Sequence, residues 1–304
     1  MPFQIRKECF LSALKSSTGK YKRYTGSPLR YAGGKTLAVG YIVELLPDKI
    51  ERFISPFLGG ASFEIACARE LAIEVIGFDV FDLLVNYWQC QFLETEKLCR
   101  YLKKYIPTRE GFNEVKARLK AHWTGETIIK NKTELAALYY YNHNTSYGPG
   151  FLSWPSSVYM NEIRYKKMID KVRNTNLDNI RVETASFEYP FSQYKDDFFY
   201  CDPPYYLDGN SKLFAGLYPQ RNFPIHHKGF KHEKLRDLLL RHNGNFILSY
   251  NDCDTIREWY KDFEIIDVSW QYTMGQGETR IGYNRINGNN SYVKKSHELL
   301  IVKR

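Results

Sequence analysis

Phe53-Ile54-Ser55-Pro56-Phe57-Leu58-Gly59-Gly60-Ala61-Ser62-Phe63-Glu64 reads as a strand, a tight turn of small residues and the opening of a helix. Small residues there let a ligand approach the helix N-terminus, where unpaired N–H groups and the helix dipole receive negative charge. About twenty residues on, a second apolar run, 73–79, ends in Asp79, at the spacing where doubly wound folds set an acid against ribose hydroxyls. Pro56, Phe57, Gly59, Gly60 and Asp79 are therefore candidate cofactor-binding residues. The plainer alternative is a strand–turn–helix in which Asp79 caps the next helix.

Outward from this stretch, β-rich runs at 52–56, 73–79, 198–202, 245–250, 263–269 and 298–303 alternate with helical spacing at 64–71, 83–102, 232–241 and 254–260. Alternation of this kind predicts a mainly parallel α/β sheet, with right-handed crossovers placing helices on both faces. Between about 95 and 179 no strand-rich run occurs, and the centre is the turn-rich tract Tyr139-Tyr-Tyr-Asn-His-Asn-Thr-Ser-Tyr-Gly-Pro-Gly-Phe-Leu-Ser-Trp154. The expected organisation is thus a first catalytic part at 1–94, an inserted, mainly helical module at 95–180, and a second catalytic part at 181–304.

The later strand 198–202 runs into Asp202-Pro203-Pro204-Tyr205. Open α/β sheets place ligands at such strand ends. Two adjacent prolines remove two N–H donors and stiffen the loop, leaving carbonyls free to accept. Asp202 and the Pro203 carbonyl would accept both protons of a planar NH₂ group while Tyr205 covers its ring, an arrangement that suits adenine. A proline-rich turn with an Asp cap is the alternative.

Lys and Arg number 43 against 34 Asp and Glu, a net charge of +9, and 24 tyrosines lie among them. This balance favours a polyanionic partner, and tyrosine supplies a stacking face and a phosphate-reaching hydroxyl. The six cysteines form no Cys-x-x-Cys pair and no His-Cys cluster, so neither a disulfide framework nor a metal is expected. No apolar run approaches the length of a membrane span and no signal-like start is present, so a cytoplasmic protein is expected. Gly33-Gly34-Lys35-Thr36 imitates the end of a triphosphate-binding loop, but the glycine required five residues before Gly34 is Leu29. What remains is a Gly33-Gly34-Lys35 turn after Tyr31 that brings backbone and an ammonium to a carboxylate-bearing ligand.

The ordered set Tyr31-Ala-Gly-Gly-Lys35, Pro56-Phe-Leu-Gly-Gly60, Asp79 and Asp202-Pro-Pro-Tyr205 resembles the Dam-like (D12 class) DNA adenine-N6 methyltransferases from about residue 27 to the end. The likeness continues in Phe230-x-His232-x-x-Leu235, in the tract 246–252 and in a closing hairpin after Phe263. It implies a Rossmann-like sheet that uses S-adenosylmethionine, with Tyr31, Gly33, Gly34 and Lys35 at the cofactor, Asp79 at its ribose, and Asp202 meeting both cofactor and target base. The chain departs from the family's pattern in Tyr31 for a tryptophan, in Ala61 for a glycine, and in Ala185-Ser186-Phe187 where an acid is usual. Ser186 and Phe187 are therefore expected beside the cofactor adenine.

The resemblance further implies a flipped adenine in double-stranded DNA. Asn142, Asn144, Ser146 and Tyr147, on a glycine-bounded loop, are expected to read bases. Arg164, Lys166 and Lys167 are expected to track phosphates, against the alternative of a solvated helix face. A cognate restriction endonuclease acting separately on the same site is the expected partner. Methylation of RNA adenine and an inactive DNA-binding module on the same fold are the competing readings.

Overall fold

The computed structural model describes residues 1–148, 150–206, 229–268 and 298–304. Its strands are β1 (Arg52–Ser55), β2 (Glu74–Asp79), β3 (Ile180–Thr184), β4 (Phe198–Cys201), β5 (Phe246–Asn251), β6 (Glu264–Val268) and β7 (Glu298–Lys303). They form one sheet in the order β3-β2-β1-β4-β5-β7-β6. The first five in that order run parallel, while β7 is antiparallel to both β5 and β6. Central strands such as β4 and β5 are apolar on both faces, as a sheet covered on both sides requires.

The expected parallel α/β sheet is present, with every predicted strand in place and one more. β3, which the sequence did not reveal, alternates buried Ile180 and Val182 with exposed Arg181 and Glu183 at the sheet's edge. Of the closing hairpin only β6 and β7 fall within the described residues.

Helices cover both faces. One face carries α1 (Phe3–Leu14), α2 (Val39–Glu44), α3 (Ser62–Glu70), α4 (Asp82–Leu93), α5 (Thr95–Leu102), α6 (Arg109–Trp123), α7 (Lys132–Thr145) and α8 (Glu162–Arg173). The other carries α9 (Glu188–Gln193), α10 (His232–Arg241) and α11 (Asp254–Trp259). Successive residues of each strand feed opposite cores: Phe53 and Tyr200 join the first, Ile54 and Phe199 the second.

The helices of 95–180 pack on the same sheet face as α1–α4. Phe112, Leu138, Tyr140 and Ile169 belong to the same apolar cluster as Phe53 and Val75, so this segment shares the core of one sheet face. Among the described residues no helix is long and apolar enough to cross a membrane.

Candidate active site

The strand order reverses between β1 and β4, which lie side by side in the sheet. Chain segments leaving these two strands diverge to opposite faces and open a crevice at their carboxyl ends. Pro56–Gly60 leaves β1 there and Asp202–Tyr205 leaves β4.

Lys35 is the hinge of the arrangement. Its side chain is 4% exposed, and its Nζ lies 2.6 Å from Asp202 Oδ1, 3.3 Å from the Gly33 carbonyl and 5.1 Å from the centre of the Tyr205 ring. Burial raises the Asp202 pKa, and the Lys35 ammonium opposes that shift through charge and hydrogen bonding. The ammonium thus offsets part of the cost of burying the carboxylate. Among the described residues no hydrogen bond reaches Asp202 Oδ2 or the Pro203 carbonyl. Two acceptors are therefore available at the end of β4.

The Gly59–Gly60 turn has an occupant of its own. A Cβ on Gly60 would stand 2.5 Å from the Tyr31 Cβ, and one on Gly59, whose φ is +47°, 3.1 Å from Tyr31 Cε1. Tyr31 thus lies across the turn and stacks its other face on His143 at 5.8 Å and 9°. The turn is pinned on both sides, since Gly59 N–H donates to Asp79 Oδ2 and Trp88 Nε1–H donates to the Gly59 carbonyl. Asp79 Oδ1 accepts from the Phe81 N–H, so the carboxylate organises the loops after β1 and β2 while remaining partly exposed. Burial raises its pKa and the backbone donors pull it back. Ala61, the residue replacing a glycine, adopts φ 49° and ψ 32°, the left-handed conformation glycine would take without strain.

Phe57 and Phe187 meet at 5.6 Å between ring centres, and Phe230 completes the group at 5.6 Å and 5.1 Å from them. These half-buried rings provide flat apolar surface beside the carboxyl ends of β1 and β3. Ser186 donates its hydroxyl to Glu188. An acid therefore stands two residues beyond the position where the sequence appeared to lack one.

Three expected base-reading residues are corrected by the fold. Asn142 and Asn144 lie within α7 and Ser146 just after it, all fully buried. Asn144 accepts from the Arg30 N–H and donates to the Pro28 carbonyl, Asn142 accepts from the Leu152 N–H, and Ser146 donates to the carbonyls of His143 and Gly148. The Asn144 amide and the Ser146 hydroxyl are spent inside the protein, whereas the Asn142 Nδ2 is buried with no hydrogen-bond partner among the described residues. Tyr205 also departs from expectation, because its ring is buried against Lys35 and offers little open face.

Tyr147, by contrast, is 78% exposed, and its N–H donates to the Trp154 carbonyl at 2.7 Å. The antiparallel bridge between Ser146 and Pro155 makes this tract fold back on itself, with Trp154 exposed beside Tyr147. Arg30 ties the tract to the segment leading into the Gly33–Lys35 turn by donating to the carbonyls of Asn144 and Ser146, its guanidinium lying 3.4 Å over Tyr159. Arg164, Lys166 and Lys167 are exposed on α8. Lys167 lines a cavity of about 270 Å³ with Arg69 and Lys171. Arg69 lies in the last turn of α3, whose first turn follows Gly59–Gly60, so this cavity lies at the far end of α3 from the glycine turn.

Arg30, Phe230 as a partner of Phe57, and Glu64 are site residues that spacing alone did not single out. Glu64 left one trace in the sequence, an acid inside the apolar run Phe63–Ala68. No group of His, Cys, Asp or Glu able to hold a metal occurs among the described residues.

Comparison with known proteins agrees with this geometry. The chain is 26% identical over 318 aligned residues to the Type II methyltransferase M.FokI of Planomicrobium okeanokoites, covering 92% of this chain and 46% of that protein. It is 27% identical to the Type II methyltransferase M1.LlaDCHI of Lactococcus lactis subsp. cremoris, covering 81% and 88%. A third relative, the Type II methyltransferase M.CviBI of Paramecium bursaria Chlorella virus NC1A, is 24% identical over 58% of this chain and 68% of its own length. This chain spans about half the length of the first of these. Residues 31–274 match one family throughout, taking in the glycine turns, Asp79 and the Lys35–Asp202 pair, and the chain belongs to the D12 class N6 adenine-specific DNA methyltransferases.

Proposed function

We propose that this protein transfers a methyl group from S-adenosylmethionine to N6 of an adenine flipped out of double-stranded DNA, as the modification partner of a separately acting restriction endonuclease. The observation that carries the reading is the Lys35–Asp202 ion pair at the end of β4, beside a proline carbonyl that has no donor among the described residues.

The residues present fit the donor. Asp79 supplies acceptors for a ribose diol, the Phe57, Phe187 and Phe230 rings suit a purine, and the Gly33–Lys35 turn suits a carboxylate. When bound, S-adenosylmethionine supplies an electrophilic methyl on a cationic sulfur.

Adenine N6 is a weak nucleophile because its lone pair is delocalised into the ring. Asp202 Oδ2 and the Pro203 carbonyl, accepting its two N–H bonds, favour a tetrahedral nitrogen with a localised lone pair. Positive charge grows on that nitrogen as it is alkylated, so acceptors fixed in advance stabilise the transition state more than the ground state. Asp202 Oδ2 is placed to take the proton the nitrogen then loses. Lys35 holds Oδ1 and so fixes which oxygen faces the amine. Extrusion of the base costs a few kcal/mol, and the exposed Tyr147 and Trp154 on the fold-back tract form the surface proposed to meet the duplex.

Expression in cells without adenine methylation, followed by modification-sensitive genome sequencing, tests the reading. N6-methyladenine at one short sequence is expected, and Asp202→Ala should abolish it while the protein stays folded and much of its DNA binding persists. An unmethylated genome from well-folded native protein, or an active Asp202→Ala variant, refutes it.

A further inference from the structure

Glu64 stands in the first turn of α3 with its side chain 3% exposed, and the Ser55 hydroxyl at the end of β1 donates to its Oε1 at 2.7 Å. The titratable groups acting on it come from three elements. They are Lys35 from the glycine turn, Asp202 and Tyr200 from β4 and its end, and Cys67 one turn along α3. The methyl transfer outlined above gives this carboxyl no task. A buried carboxylate without a task is an expensive substitute for an apolar side chain of the same size.

Charge counting supplies one. Lys35 and Asp202 cancel, so Glu64 decides whether the cluster is neutral or carries one surplus negative charge. A cationic methyl donor and its neutral thioether product differ by one positive charge and one methyl group. We propose that Glu64 is a charge-discriminating residue of the cofactor site, its carboxylate favouring the sulfonium donor over the spent thioether. The inference rests on the S-adenosylmethionine reading and adds how the site distinguishes full from empty donor. Burial pushes the Glu64 pKa up to about 7, with Asp202 adding to the rise and Ser55 and Lys35 opposing it. The discriminating charge is therefore one that a bound cation can call out and a neutral product can let lapse.

The test is titration calorimetry of the full chain with S-adenosylmethionine and with S-adenosylhomocysteine across neutral pH. A cation gains affinity as the carboxyl ionises, and a neutral ligand does not. The ratio of the two affinities should therefore rise roughly tenfold from about pH 6 to about pH 8 in the native protein. In Glu64→Gln, which keeps an acceptor for Ser55, the rise should vanish. Difference infrared spectra of the native protein give a second readout without substitution. Near neutral pH the donor should deplete the protonated-carboxyl band and the product should leave it. A native ratio that ignores pH, a Gln variant with the native rise, or a band indifferent to both ligands overturns the proposal. Failure of either ligand to bind at any pH instead removes the cofactor reading, and this inference with it.

Discussion

Gly60 and Tyr31 account for each other. The turn after β1 can do without a side chain at Gly60 because Tyr31 has put its own Cβ where that side chain would go. This makes a double-mutant cycle informative. Gly60→Ala alone drives two carbons to 2.5 Å and should destabilise the protein by roughly 1–3 kcal/mol, the usual cost of overpacking. Tyr31→Gly removes the obstructing Cβ, so urea midpoints of the double variant should show a loss well short of the sum. Strict additivity would mean that Tyr31 does not lie across the turn. The same residues show what can be read from spacing. Lys35, Asp79 and Asp202 were legible because each sits in a motif whose chemistry demands that residue type. The occupant of the glycine turn was not, since a sequence cannot say whether glycine makes room for a ligand or for the chain's own tyrosine. Glu64 was harder still: its meaning lies in Ser55, Lys35 and Asp202, three residues that only the sheet brings to it.

At the level of elements, the tract around α7 misled for a physical reason. Asn, Ser, Thr and Gly compete with backbone hydrogen bonding and favour turns, so residues 142–147 read as a loop. In the fold, Asn142 and Asn144 use those same groups to tie the last turn of α7 to Pro28, Arg30 and Leu152, and the helix runs on to Thr145. β3 escaped notice because an edge strand with alternating exposed Arg and Glu lacks the apolar run that marked the central strands. The parallel core, by contrast, was legible almost to the residue, because strands buried on both faces must be apolar throughout. Past α7 the chain offers Tyr147 and Trp154 as neighbouring exposed rings, with Lys116 Nζ 4.9 Å from the Trp154 ring. Aromatic contacts to bases contribute about 1–3 kcal/mol each, so Tyr147→Ala with Trp154→Ala should weaken duplex binding by about tenfold or more. Calorimetry should find cofactor affinity unchanged, because neither ring touches the glycine turns. Duplex binding at native strength in a fluorescence titration would take this tract out of the DNA interface.

Across the whole molecule, buried charge sets how stability follows pH. His143 is held neutral behind Tyr31, its pKa depressed to about 3 by burial from an ordinary 6.5. A depressed group of this kind contributes stability above its unfolded value, and loses it as pH falls from 6.5 towards 3. Glu64 has the opposite sense. Its pKa is raised from 4.5 to about 7, so its contribution is complete below 4.5 and is lost as pH climbs to about 7. Asp79 and Asp202, also raised by burial, act in the sense of Glu64 from their ordinary 3.8 upwards. Between pH 4.5 and 6.5 the folded chain carries a proton on Glu64 and the unfolded chain one on His143, and the two slopes cancel. Glu64→Gln takes away one side of that balance. Its stability relative to the native protein should be near zero at about pH 4 and grow to about 3 kcal/mol in its favour by about pH 8, at about 1.4 kcal/mol per shifted pKa unit. Urea unfolding of the two proteins across this range measures the difference directly, and curves that stay parallel would show that Glu64 titrates alike folded and unfolded. A divergence of the expected sign would mean that the native protein forgoes stability near neutral pH to keep a carboxylate near the Lys35–Asp202 ion pair. Such a cost fits a group retained for what it does to a bound cation.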